Sequence, residues 1–149
     1  MPHFGLMDEG EMIPRDAALL RARLHVRCGR RRLFEGKLPE AVATLYDGLL
    51  AAMRWYALTD GEVHRQIHTR GDRLLEDDVE LQKLLLEHGA WDDVLDFQGL
   101  RSLVDDAMEG RLADFDRHRL MEQIEAVLTR LGVLPFDEDA LPPEDPETL

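Results

Sequence analysis

Apolar residues recur at helical spacing along most of the chain, and nowhere do they alternate with the two-residue period of a strand. From about Arg15 to Phe34, the residues Ala17, Ala18, Ala22, Leu24, Val26, Cys28 and Leu33 share one broad arc. Arg23, Arg27, Arg30 and Arg31 line the opposite side. Gly36 predicts the end of this helix. Pro39 suits the first turn of the next, where its missing N–H would go unpaired anyway. The second helix, about Pro39 to Leu58, is the most apolar. Val42, Leu45, Leu49, Ala52 and Tyr56 form a stripe widened by Tyr46, Met53 and Trp55. A helix apolar around most of its circumference must be enclosed on every side. It is therefore expected to be the central core helix, and a second copy of the chain is expected to supply the missing cover in a symmetric homodimer, the competing case being that the third helix and the N-terminal segment cover it within one chain. Gly48, in its middle, predicts a neighbour at close range.

Thr59-Asp60-Gly61-Glu62 has capping-box spacing and predicts a short helical segment to Thr69, before Gly71. Further helices are predicted from about Arg73 to Glu87, Asp92 to Met108 and Ala113 to Leu131, stopping near Gly89 and Gly132. The closing stretch LPFDEDALPPEDPETL has four prolines and six acidic residues, too little apolar surface to offset the entropy of ordering. It should be mobile or draped over the surface. The expected fold class is all-α, a single-domain bundle of about five main helices with a disordered acidic C-terminal tail. Its expected divisions are a flexible segment over 1–14, the bundle over 15–132 and the tail over 133–149.

At 149 residues the chain is long enough to bury a substantial core. A single cysteine, Cys28, excludes an internal disulfide and a Cys-based zinc cluster, and fits a reducing cytoplasm. The opening MPHFGLMDEGEMIP has neither the basic start nor the apolar run of a secretory signal, and no membrane span is expected. A cytoplasmic location follows. The net charge of −13 is unevenly placed. Residues 15–37 carry eight basic side chains against two acidic ones, whereas residues 72–116 carry fourteen acidic and four basic. Such an acidic chain is a poor general ligand for nucleic acid, because phosphate affinity comes from Lys and Arg displacing counterions.

The arginine stripe Arg23, Arg27, Arg30 and Arg31 is the strongest non-random polar feature. Guanidinium groups suit carboxylates and phosphates alike. The plainest expectation is that these side chains are solvated or paired with acids such as Asp77, Asp78, Asp105 and Asp106. Next comes a protein partner, and after it nucleic acid or a nucleotide. His64 and His68 share a helical face that Asp72 would extend, an arrangement suited to a divalent metal. Gly71 interrupts that helix before Asp72, so solvent-exposed histidines are the expectation. No P-loop or Gly-rich dinucleotide loop is present, and no cofactor is expected.

Gly29, Gly36, Leu38, Glu40, Ala41 and Val42 resemble the helix-turn-helix of a tetratricopeptide repeat, a family that places small residues where two antiparallel helices touch. Echoes at EHGAWDDVL and EGRLADF lack the constant period a solenoid requires. The opening is therefore expected to be a lone helical hairpin. Across residues 15–131, a basic helix is followed by a long helix reading EAVATLYDGLLAAMRWYAL, a polar connection and further amphipathic helices. This order resembles the HEPN helical bundles of prokaryotes. That resemblance implies a small, often dimeric helical protein, many of whose kin are partners of nucleotidyltransferases, with an RNase subset. The subset carries an Arg and a His with four to six residues between them, which implies Arg111 and His118 in RLADFDRH, with six between. Sixteen arginines and six histidines yield roughly two such pairs by chance, and Leu112 stands where the subset tends to place a polar residue. The reading is thus a non-catalytic protein-interaction or accessory module. The alternative is an HEPN-type RNase using Arg111 and His118, or a metal-dependent enzyme using His64 and His68.

Overall fold

The computed structural model describes residues 9–148; residues 1–8 and Leu149 lie outside that range, and with them most of the expected flexible segment over 1–14. A 3-10 turn at Glu9–Glu11 precedes six α-helices: α1 (Pro14–Phe34), α2 (Leu38–Thr59), α3 (Gly61–Arg70), α4 (Asp78–His88), α5 (Phe97–Met108) and α6 (Arg117–Leu131). There is no strand among the described residues. The chain is an all-α single domain. It has one more α-helix than the five expected as main elements, because the short segment after Asp60 is a full helix of its own.

Helix starts follow a common chemistry. Asp60, Asp77, Asp96 and Asp116 each stand just before a helix, and each side-chain carboxylate accepts from backbone N–H groups of the first turn. These caps fix the boundaries that apolar periodicity leaves loose. α5 begins at Phe97 rather than near Asp92, and α6 at Arg117 rather than near Ala113. The expected helix from Arg73 divides into a 3-10 turn over Asp72–Glu76 and then α4. Gly89 and Gly132 end α4 and α6 in the left-handed conformation that a side chain would strain.

α1 and α2 form a tight antiparallel hairpin, and α2 also packs on α3, α4, α5 and α6. The approach of the first two helices is close at two glycines. A Cβ added at Gly29 would stand 2.6 Å from Cγ of Leu45, and one at Gly48 would stand 3.1 Å from Cβ of His25. The expected close neighbour of Gly48 is therefore α1. Leu24, Cys28, Val42, Leu45, Leu49, Ile124 and Val127 are all buried, as their positions on apolar arcs predict.

Part of α2 is covered within one chain and part is left half-covered. Leu45, Tyr46, Leu49 and Met53 are buried, and Leu50, Trp55, Tyr56 and Leu58 are half-buried. Trp55 packs against the Cα side of Gly132 at the end of α6. The large apolar side chains that are exposed, among them Phe34, Leu86 and Met108, lie on other elements. No described helix is long and apolar enough to cross a membrane.

Candidate functional site: the arginine face of α1

Successive turns of α1 present Arg23, Arg27, Arg30 and Arg31 on the side away from α2, because the apolar arc of the helix is committed to the hairpin. Arg32 follows the row at its end, on the side of α2. The partners of this row come from the far end of the chain. Arg23 donates through Nε to the Val133 carbonyl at 3.4 Å, and its guanidinium lies 5.3 Å from the centre of the Phe136 ring. Arg27 donates through Nη2 to the Pro142 carbonyl at 2.7 Å. Arg30 bridges Glu138 and Glu125, the latter at 3.4 Å on α6.

Arg31 is the most heavily engaged. Its guanidinium pairs with Glu144 at 3.2 Å and with Glu35 at 3.2 Å, donates to the Thr148 carbonyl at 3.4 Å and reaches Cys28 Sγ at 3.6 Å. Arg32 donates to the Thr148 carbonyl at 3.1 Å and to the Thr44 hydroxyl at 3.0 Å. The Arg31 and Glu144 side chains keep only 21% and 18% of their surface exposed, so solvent screens this pair less than an ordinary surface one. Burial alone would lower the Arg31 pKa; the hydrogen bonds to Glu144 and Glu35 outweigh it and raise the value. Burial pushes the Cys28 thiol up against the opposing pull of Arg32 and Arg31.

Residues 133–148 thus follow α1 in the same direction, from Arg23 toward Arg32. They include two 3-10 turns, at Glu138–Ala140 and Pro146–Thr148. Beside them a cleft of about 420 Å³ is lined by Arg30, Glu125, Thr129, Leu134, Pro135 and Phe136 with Glu138 at its rim. Of the two courses expected for the tail, mobile or draped over the surface, the described residues follow the second. Over 133–148, two of the six carboxylates, Glu138 and Glu144, pair with Arg30 and Arg31 of α1, and backbone carbonyls accept from Arg23, Arg27 and Arg32. The expected stripe partners are corrected. Asp78 instead takes Arg101 at 3.3 Å and accepts a hydrogen bond from the Tyr46 hydroxyl, while Asp106 pairs with Arg111 at 3.6 Å.

The other nominated residues lie apart. Arg111 follows α5 and is turned to Asp106 and Glu109, whereas His118 sits on the first turn of α6 with its ring 5.0 Å from that of Phe34. One faces the acids at the end of α5, the other the end of α1. His64 and His68 are exposed on α3, and among the described residues no group of three or more His, Cys, Asp or Glu comes together to hold a metal.

Two arrangements escaped the sequence. Tyr46, Asp78 and Arg101 tie α2, α4 and α5 together, and Tyr46 stacks on Phe97 at 5.9 Å. Burial would raise the Asp78 pKa; the Tyr46 hydroxyl and the Arg101 charge outweigh it and hold the carboxyl below its usual range. The second is the tail's role as counter-charge to α1, for which the six acids among 137–147 were the available signal. No protein-family model, curated protein or solved structure matches the chain.

Proposed function

We propose that this chain is a non-catalytic helical interaction module whose docking surface is the arginine face of α1. One observation carries the reading: Arg23, Arg27, Arg30 and Arg31 on one face of α1, with Arg32 beside them, reach carbonyls and two carboxylates of the acidic segment 133–148. Arg111 and His118, which an RNase reading would use together, point to different neighbours, which favours binding over chemistry at those positions. Arginine is well suited to the task because its planar fork grips carboxylates and carbonyls with little loss of side-chain freedom per bond formed.

Fluorescence anisotropy with a labelled poly-glutamate peptide and a single-stranded RNA of equal charge tests the reading on the full chain. The peptide should bind, weaken with added salt, and lose affinity in Arg27→Ala/Arg31→Ala. The RNA should stay free and intact. Cleavage of the RNA that His118→Ala or Arg111→Ala abolishes would make the chain a nuclease. Absence of any peptide binding would remove the docking surface.

A further inference from the structure

We propose that residues 133–148 are an exchangeable occupant of the arginine face. The external ligand would then be an extended acidic segment of a partner protein that reproduces their pattern. This rests on the docking surface just described and adds to it the ligand's signature and the device that regulates access. The signature is an aromatic residue, a carboxylate two positions later and a second carboxylate six positions after that, as Phe136, Glu138 and Glu144 are spaced. Phe136 takes the Arg23 guanidinium, Glu138 takes Arg30, and Glu144 takes Arg31. Between the two acids the Pro142 carbonyl accepts from Arg27, in a Pro-Pro pair whose backbone has no tendency to fold back into a helix.

The occupant is held by charge and carbonyl contacts. Val133 is buried and anchors the start of the segment, but no residue from 134 to 148 is. Leu134, Phe136, Leu141, Pro142, Glu144, Asp145 and Thr148 are half-buried and the rest are exposed. Contacts of this kind are individually weak and screened by salt. The segment stays seated because it is tethered: an intramolecular ligand acts at an effective concentration on the order of millimolar. A partner must outcompete that local concentration, so its apparent affinity falls by the fraction of molecules whose face is open.

A polypeptide suits the site better than a nucleic acid. Carbonyls of Val133, Pro142 and Thr148 accept from four of the five arginines, and a phosphodiester chain offers no equivalent spacing of neutral acceptors. The net charge of −13 also repels a polyanion that lacks such local contacts.

The experiment compares the full chain with its Glu138→Lys/Glu144→Lys variant, both titrated with a labelled peptide of residues 133–148. A peptide of the same composition in scrambled order serves as control. The variant should bind the native-order peptide about tenfold or more tightly than wild type, because its own segment no longer competes. Adding Arg27→Ala/Arg31→Ala should abolish that gain, and the scrambled peptide should bind more weakly. Maleimide labelling of Cys28, beside Arg31, should quicken in the variant as the segment lifts. Equal affinity of wild type and variant would show that the segment does not compete, and the inference falls. Equal affinity for native and scrambled peptides would show that no pattern is read, with the same result. In both cases poly-glutamate binding that needs Arg27 and Arg31 would leave the docking surface standing. A variant that elutes at twice the monomer mass would make a second copy of this chain the ligand, which also overturns the proposal.

Discussion

The two faces of α1 are held by opposite means. Toward α2 the helix is dry and close: Ala22, Val26 and Leu33 are fully buried in the shared core, and Gly29 and Gly48 let the helices meet at close range. Toward residues 133–148 it is wet and charged, with Arg23, Arg27, Arg30 and Arg31 each reaching outward to a carboxylate or a carbonyl. The first kind of contact has one good arrangement, because a packed interior does not tolerate small displacement. The second is built of polar contacts that solvent and salt screen. One helix thus carries both a packed face and a charged one.

The largest effect should come from breaking the dry face. Leu49→Ala should cost about 2–5 kcal/mol by urea unfolding, since the side chain is fully buried and the cavity cannot collapse completely. A loss under about 1 kcal/mol would mean the hairpin is far looser than its burial implies. Gly29→Ala comes next. The added Cβ would stand 2.7 Å from Cδ2 of Leu45, and the overpacking cost of roughly 1–3 kcal/mol is partly offset by the ~1 kcal/mol helix preference of alanine. A net gain in stability would show that Leu45 moves freely.

The wet face should respond more weakly. A double-mutant cycle of Arg31→Ala and Glu144→Ala should give a coupling of about 1 kcal/mol that shrinks with salt. A coupling insensitive to salt would place this contact with the dry face and erase the contrast. Asp78, remote from both faces, supplies a pH control. Its folded pKa is lowered, so the stability it adds is present above the unfolded value of about 3.9 and is lost as pH falls through the folded value. Asp78→Asn should therefore flatten part of the acid limb of a stability profile. An unchanged limb would remove the Tyr46–Asp78–Arg101 link from the account of stability. His118→Ala should change stability least, by less than about 0.5 kcal/mol, because the ring is exposed.

Periodicity exposed the dry face before any coordinates, because burial on one side of a helix writes itself at intervals of three and four residues. The buried set Leu24, Val42, Leu45, Leu49 and Ile124 followed directly. Helix starts were less legible. Four aspartates cap four helices, but aspartate is common in a chain this acidic, so its presence alone did not separate Asp60, Asp96 and Asp116 from their neighbours. The wet face was half legible. The arginine row stood out, yet acids occur all along the second half of the chain, and no local rule selects Glu138 and Glu144 over Asp105 and Asp106. That choice is set by where α6 ends. Its last turn leaves Val133 beside Arg23, and the chain then has only the surface of α1 to follow.

This route through space has a consequence in time. The hairpin of α1 and α2 is made of contacts close in sequence, which form early and cheaply. Residues 133–148 sit more than a hundred positions beyond the arginines they cover. On a chain emerging from the ribosome, the row from Arg23 to Arg32 is therefore made long before the acidic segment. The contacts across it can form only after more than a hundred further residues have been added.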